Sequence, residues 1–268
     1  MFDLSRNQRP ILSSGAALLA LSLLSIPGFA QEAGASFFDD FNELDRVRWY
    51  ASDGWSNGAH QNCGWSDKRV TLNSGILEIA FGPGEMAGRS FTCGEIRTRK
   101  AYKYGTYEAR LKTPAASGMN AAFFSYTGPT MNQPHDEIDF EILTRDTSKV
   151  STGTYVSGKS GLGTPGNGNG RMLDLPHPSD SDFIQYGFVW SPKSIEFYAD
   201  GELIRTIDTP HEIPTHEQNV FFSLWGSDTL TEWMGPFVAP AAPVSMQLDW
   251  FGYTAPGESC LFPQSITC

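Results

Sequence analysis

The segment PHDEIDFEIL, residues 134–143, places Glu137, Asp139 and Glu141 two residues apart, with an isoleucine or a phenylalanine after each. In a β-strand this period sends the three acids to one face and the apolar side chains to the other. Like charges on one face of a sheet repel each other, so a purely structural purpose does not explain them. Two carboxyl groups that flank a glycosidic bond, one ionised and one protonated, can hydrolyse it.

The spacing of the two glutamates suits that chemistry. In a strand the Cα atoms of Glu137 and Glu141 would lie roughly 13 Å apart. Their side chains can lean towards a common point and approach the separation of about 5–5.5 Å at which the anomeric configuration is retained. Asp139 lies between them, where it can separate their pKa values. A solvated acidic edge and a calcium site remain alternatives, although calcium ligands come more often from loops.

The rest of the chain predicts an all-β fold. Alternating runs bounded by turn residues recur throughout, and Asn73-Ser74-Gly75 and Asp200-Gly201 are typical of hairpin turns. No window of a dozen residues has a convincing helical period. We therefore expect a curved antiparallel β-sandwich over residues 31–255, followed by a tail at 256–268. Residues 158–182, rich in glycine, serine and proline, are predicted to form one long mobile loop.

The amino terminus has the pattern of a secretory signal. Arg6 and Arg9 precede an apolar run that ends at a Pro-Gly break and the small-residue sequence GFA. The run is too short to span a bilayer, so we expect a signal peptide at residues 1–30 rather than a membrane anchor. The protein is therefore expected to be secreted, to the periplasm or beyond.

Charge and cysteines agree with export. The chain has a net charge of −11, and removal of residues 1–30 would leave −12, which disfavours nucleic acids and anionic membranes as partners. Four cysteines in an oxidising compartment predict disulfides. We pair Cys63 with Cys93 inside the β-rich part and Cys260 with Cys268 across the tail.

DEIDFE resembles the active-site signature of glycoside hydrolase family 16. The resemblance extends over nearly the whole mature chain, through SDGWSNG, NCGW, FTCGEIRT, YGTYEARLK, AAFFSYTGP, FFSLWGSDTLTEWMG and LDWFGYT. These segments are similar to bacterial lichenases and to a rhizobial branch of the family that acts on the branched exopolysaccharide succinoglycan. The family fold is a curved β-jelly roll, in agreement with the strand pattern.

The resemblance implies roles for individual residues. Glu137 would be the nucleophile, Asp139 the assisting acid and Glu141 the general acid/base. Eight further residues would bind the sugar chain: Asn57, Glu95, Arg97, Tyr126, His135, Tyr155, Trp225 and Trp233. It implies no cofactor for catalysis but a possible structural calcium ion, bound by the Asp249 side chain and by backbone carbonyls of Gly75 and Asp40.

Departures from the lichenase pattern bear on the substrate. His135 stands where lichenases carry a tryptophan, and Gly153 and Ser223 stand where they carry asparagines. These changes remove a stacking surface and two amides, and they leave room beside the sugar chain. We therefore expect a monomeric, retaining endo-β-glycanase for a branched, succinoglycan-like polysaccharide.

Other functions remain open from the sequence. Within the family, they are a mixed-linkage β-glucanase and a transglycosylase of the xyloglucan type, which also has histidine before its DEID. A sugar-binding module without catalysis would have no need of both glutamates. A structural surface protein would explain neither the acids nor the aromatic residues.

Overall fold

The computed structural model describes residues 34–160 and 169–268, and nearly all of its regular elements are strands. The predicted signal peptide lies outside the described residues. The strands are β1 (Phe37–Asp39), β2 (Trp49–Ala51), β3 (Cys63–Trp65), β4 (Val70–Asn73), β5 (Ile76–Met86), β6 (Arg89–Thr98), β7 (Gly105–Lys112), β8 (Met119–Thr127), β9 (Asp136–Leu143), β10 (Lys149–Val156), β11 (Lys159–Ser160), β12 (Arg171–Asp174), β13 (Ile184–Trp190), β14 (Ile195–Ala199), β15 (Glu202–Ile207), β16 (Asn219–Gly226) and β17 (Val244–Thr254).

Helices are short and few in the described part of the chain. One α-helix, α1, covers Thr231–Met234, and 3-10 turns cover Asp67–Arg69, Pro129–Met131 and Pro210–Glu212. None of these helices is long and apolar enough to cross a membrane.

Two sheets pack face to face. The first, called here the cleft sheet, has the order β12, β10, β9, β8, β16, β6, β2, and the second has β15, β14, β13, β7, β17, β5. Phenylalanines fill the space between them. The Phe123 ring of the cleft sheet lies 5.5 Å from Phe188 and 6.0 Å from Phe251 of the second sheet. The alternating strands therefore bury their apolar faces in one core, and the predicted sandwich is confirmed.

Strand β6 belongs to both sheets. Its first half pairs with β5 and, in parallel, with β3, whereas its second half pairs with β16 and β2 in the cleft sheet. The disulfide Cys63–Cys93 lies at this crossover, fully buried, with its Cα atoms 5.8 Å apart. The predicted pairing is confirmed.

The hairpin turns form as the sequence predicts. Ser74 and Gly75 have φ of 54° and 82°, and Asp200 and Gly201 have φ of 48° and 81°. Positive φ at both central residues is the geometry of a type I′ turn, whose twist matches that of the strands.

The predicted single loop over residues 158–182 is only partly right. Lys159–Ser160 and Arg171–Asp174 form β11 and β12, and both pair with β10. These short edge strands are held by backbone hydrogen bonds, which the glycine-rich composition does not signal. Residues 161–168 of this stretch lie outside the described residues.

The carboxy-terminal tail packs on the outer face of the second sheet. Cys260 and Cys268 form the predicted disulfide. Glu108 of β7 accepts hydrogen bonds from Ser265 Oγ at 2.6 Å and from the Ile266 amide at 2.9 Å. Residues 256–268, predicted as a disulfide-pinned tail, lie in the same compact unit as the sandwich.

Candidate active site

The three acids of β9 lie on the exposed face of the cleft sheet. Ile138, Phe140 and Ile142 are fully buried in the core between the sheets. Glu137 and Glu141 remain partly exposed, whereas Asp139 is buried between them. The predicted division of the strand into an acidic face and an apolar face is confirmed.

Strand register sets the neighbours of each acid. In the order β8, β9, β10, the directly opposed residues are Tyr126–Glu137–Tyr155, Phe124–Asp139–Gly153 and Ala122–Glu141–Ser151. On the β8 side, aromatic residues therefore flank Glu137 and Asp139. Small residues flank Glu141 on both sides. Space for a ligand opens beside Glu141.

Two adjoining cavities meet at the acids. The first, of about 660 Å³, contains six of the predicted sugar-binding residues together with all three acids: Asn57, Glu95, Arg97, Tyr126, His135 and Trp225. The second, of about 360 Å³, contains the other two, Tyr155 and Trp233, together with Asp139 and Glu141. Every residue predicted for catalysis or sugar binding thus lines one groove, and its two halves share Asp139 and Glu141.

Glu141 accepts a hydrogen bond from a side-chain amide that was not predicted from the sequence. Asn120 of β8 donates a hydrogen bond from Nδ2 to Glu141 Oε1 at 3.0 Å. Burial raises the pKa of Glu141 to about 8, the charge of Glu137 adds to the rise, and the bond from Asn120 opposes it. Glu141 is therefore protonated at neutral pH and can donate a proton.

Asp139 is also held in its neutral form. Burial raises its pKa well above the ordinary value, and the charges of Glu137 and Glu141 and a hydrogen bond with Glu137 act in the same direction. A protonated Asp139 can donate a hydrogen bond to the Glu137 carboxylate.

His135 contacts Glu137 directly. Its Nε2 lies 2.7 Å from Glu137 Oε2, and its ring stacks on Tyr155 with the centroids 5.0 Å apart and the planes 13° apart. The hydrogen bond to Glu137 raises the pKa of His135. His135 was predicted as a sugar-binding residue at a position that makes room beside the chain, and its contact with Glu137 was not predicted. The two-residue spacing from Glu137 was the signal that it shares the acids' face.

Glu95 and Arg97 form the far wall of the first cavity. Glu95 is only 3% exposed, accepts a hydrogen bond from Ser52 Oγ at 2.6 Å, and has its pKa raised by burial to about 7. The Arg97 guanidinium lies 4.8 Å from the centre of the Tyr50 ring. Glu95 is therefore not half of an ordinary surface ion pair.

Asp136 anchors the end of β9 from the opposite face. Its carboxylate is fully buried and accepts hydrogen bonds from the amides of Ser157, Thr215 and His216 and from His216 Nδ1, at 2.8–3.2 Å. Burial favours the neutral acid, but the four hydrogen bonds outweigh it and lower the pKa of Asp136. This side chain ties two loops to the strand just before Glu137.

Several groove residues were missed by sequence reasoning. They are Tyr50, Trp55, His60, Trp65, Phe124, Thr130, Met131 and Phe221 in the first cavity, and Arg145, Met172 and Glu232 in the second. Most come from loops or distant strands, where a single sequence has no periodic signal. A tryptophan in the glycine-rich segment DGWSNG, in contrast, could have been singled out as an exposed loop aromatic.

The predicted calcium site is not confirmed, and side chains at that position make other contacts. Register places Asp249 near Gly75 and Asp40, since Leu248 opposes Leu77 and Phe251 opposes Asp39. However, the Asp249 carboxylate is ion-paired with Arg110 Nη1, and Asp40 Oδ2 accepts a hydrogen bond from Asn42 at 2.6 Å. Within the described ranges no three His, Cys, Asp or Glu residues are grouped to hold a metal ion. The only carboxylate side chain that was predicted as a calcium ligand, that of Asp249, thus forms an ion pair with Arg110.

Comparison with known proteins identifies the family. Residues 57–252 match the model of Glycosyl hydrolases family 16. The chain belongs to this family. The "Endo-1,3-1,4-beta-glycanase ExoK" of Rhizobium meliloti is 48% identical over 233 residues, which are 87% of this chain and 84% of that protein. A "Beta-glucanase" of Bacillus subtilis is 36% identical, over 88% of this chain and 93% of that protein.

The fold agrees with a solved β-glucanase structure. The β-glucanase of Bacillus licheniformis superposes with a TM-score of 0.75 at 34% identity, over 83% of this chain and 99% of that one. The predicted family and its curved jelly-roll sandwich are confirmed, and the chain is a glycoside hydrolase.

Proposed function

We propose that the protein is a retaining endo-β-glycanase that cleaves a β-1,3/1,4-linked, branched bacterial exopolysaccharide of the succinoglycan type. The observation that carries this proposal is the groove, whose two halves meet at Asp139 and Glu141. A sugar chain bound in both halves has residues on each side of the acids, so cleavage falls inside the chain. Tyrosine and tryptophan walls suit the stacking of pyranose rings.

In the first step Glu137 attacks the anomeric carbon. An electron pair of its carboxylate forms the new C–O bond while the glycosidic C–O bond breaks, and the departing oxygen takes the proton of Glu141. Asp139, protonated beside Glu137, stabilises the position of that carboxylate by hydrogen bonding. The raised pKa of Glu141, about 8, keeps its proton available at neutral pH.

In the second step Glu141 acts as a base. Formation of the glycosyl ester removes the charge of Glu137, which is one of the causes that raise the pKa of Glu141. The pKa of Glu141 therefore falls, so that Glu141, which lost its proton in the first step, stays ionised at neutral pH. As a carboxylate it takes a proton from water while the water oxygen attacks the anomeric carbon and displaces Glu137. The carboxyl groups carry the whole reaction, and no cofactor enters it.

Gly153 supports a branched substrate. It lies opposite Asp139 in the second cavity. A Cβ atom at this position would have Gly170 Cα at 3.5 Å and Asn169 Oδ1 at 3.6 Å, which is ordinary contact. A longer side chain would extend into the cavity. Glycine therefore preserves space beside the backbone of the polysaccharide, where a sugar branch could lie.

A mixed-linkage β-glucanase is the second candidate. The 36% identity to the Bacillus subtilis β-glucanase favours it. The two candidates differ in the preferred polymer, not in the reaction.

Catalysis is tested with Glu137→Gln and an aryl β-glycoside that has an activated leaving group. An amide cannot form the glycosyl ester, so turnover should fall by at least about a thousandfold while the fold is kept. Turnover within tenfold of wild type would refute the nucleophile. Proton NMR of fresh product should show the β-anomer first, and initial α-anomer would refute retention.

Substrate preference is tested with viscosity and reducing-end assays on succinoglycan and on linear mixed-linkage glucan. Viscosity should fall quickly while few reducing ends appear, with succinoglycan the better substrate. Gly153→Asn should lower activity on the branched polymer and spare the linear one, with Ser223→Asn as the companion variant in the other cavity. A wild-type preference for linear glucan would refute the branched-substrate proposal.

The proposed setting of the enzyme is extracellular or periplasmic, reached through a signal peptide at residues 1–30. We further propose a monomer that binds polysaccharide and neither nucleic acid nor membranes, because the mature chain is strongly acidic. Amino-terminal sequencing of exported protein and light scattering test these points. The proposal does not include the structural calcium ion implied by the family resemblance, because the Asp249 carboxylate is ion-paired with Arg110.

A further inference from the structure

We propose that His135, as an imidazolium, is a positioning residue that fixes the Oε2 oxygen of Glu137 and so orients the carboxylate for attack. This inference rests on the proposed function of Glu137. The observation that carries it is the distance of 2.7 Å between His135 Nε2 and Glu137 Oε2.

The histidine ring is held in place by its surroundings. It is stacked on Tyr155 of β10, and the Tyr126 ring of β8 lies 5.2 Å away at a tilt of 58°. The backbone is fixed as well, because the Gly158 amide donates to the His135 carbonyl at 2.7 Å. The direction in which Nε2 points is therefore set by packing, as a positioning residue requires.

The charges around the ring favour its protonated form. The titratable groups that face it are Glu137 and Asp136 from β9, Tyr155 from β10 and Tyr126 from β8. Asp136 turns its carboxylate to the opposite face, towards His216. Among the described residues, Glu137 is the only acid paired with His135, and the hydrogen bond to it keeps the imidazolium to higher pH than in a free histidine.

This pair explains how three acids coexist on one face. Asp139 and Glu141 are neutral, and the remaining charge, on Glu137, is matched by His135. When Glu137 forms the glycosyl ester, the carboxylate charge disappears and His135 loses its ion-pair partner. When the ester is hydrolysed, Glu137 leaves as a carboxylate, and His135 stabilises that leaving group by donating to Oε2. No proton of His135 is consumed in either step.

Two variants separate the hydrogen bond from the stacking. His135→Phe keeps a ring on Tyr155 but has no donor, whereas His135→Gln keeps an N–H donor without the ring. Loss of a charge-assisted hydrogen bond should lower kcat of His135→Phe about tenfold or more, with KM within about twofold. His135→Gln should recover part of that loss. His211→Phe, at an exposed histidine outside both cavities, is the matched control.

The same proposal predicts a spectroscopic change. In wild-type protein the imidazole of His135, followed by NMR, should titrate above the ordinary histidine pKa of about 6.5, and Glu137→Gln should bring it back towards that value. An unchanged titration in Glu137→Gln, or a His135→Phe enzyme with wild-type kcat, would overturn the inference. If Glu137→Gln itself stayed active, the proposed nucleophile would fail first, so the two failures are distinguishable.

Discussion

At the scale of single residues, the catalytic strip depends on unequal protonation of similar groups. Glu141 and Asp139 are neutral because desolvation and the charge of Glu137 raise their pKa values, and Asn120 moderates this rise for Glu141. The pH dependence of the reaction should therefore respond to residues that do not react.

Asn120→Ala should shift the alkaline limb of kcat/KM to higher pH. The Asn120 hydrogen bond lowers the pKa of Glu141, so its removal leaves the acid protonated beyond the value of about 8. Activity is lost as pH rises through that pKa, because Glu141 then has no proton to donate. The measurement is the pH dependence of kcat/KM, which reports pKa values of the free enzyme, with an uncharged substrate. An unchanged limb would mean that another group controls it.

Glu141→Gln should stabilise the fold while it damages catalysis. A carboxyl group whose folded pKa is raised destabilises the fold progressively as pH rises from its unfolded value, about 4.5, through about 8. The substitution should raise the free energy of unfolding by on the order of 1 kcal/mol at pH 8 and by little at pH 4. Thermal melts at the two pH values measure the difference. Equal shifts at both would contradict the pKa assignment.

At the scale of elements, local periodicity predicts strands but not their partners. The alternation in β9 is a two-residue pattern, so the faces of Glu137 and Ile138 could be read directly from the sequence. Asn120 lies 21 residues from Glu141, and only the β8–β9 register brings them together. Edge strand β12 was missed because exposed edge residues have mixed patterns. The roles of the acids came from family resemblance, and spacing alone left calcium and a solvated edge open.

The two disulfides should differ in accessibility and in effect. Cys63–Cys93 is fully buried at the β6 crossover and spans 30 residues, whereas Cys260–Cys268 spans 8 near the surface. Mild reductant on native protein should open the tail bridge first, with activity retained. Replacing the buried pair by serines should destabilise by about 3–4 kcal/mol, against about 2–3 for the tail pair in the loop-entropy estimate. Peptide mapping after thiol labelling decides the order, and labelling of Cys63 first would contradict it.

At the scale of the whole molecule, Arg110 joins two adjacent strands of the second sheet, β7 and β17, through Asp249. A chelator should therefore leave the melting temperature unchanged. Arg110→Ala should lower stability by up to about 1 kcal/mol, since the pair is partly exposed. Added calcium should then restore part of the loss, because Asp249 is free. A large drop in wild-type Tm with chelator would show that calcium competes successfully with the arginine.

Asp136 makes the stability of the fold depend on acid, separately from the effect of acid on catalysis. Its low pKa means that its contribution to stability is complete above pH 3.8 and disappears as pH falls through the folded value. Protonation there would loosen the loops that carry Ser157 and His216, which Asp136 ties to the end of β9 just before Glu137. An assay that records only product would credit the whole acid loss to the nucleophile. A fluorescence record over the same titration would divide that loss into a reversible chemical part and a part due to loosening of these loops.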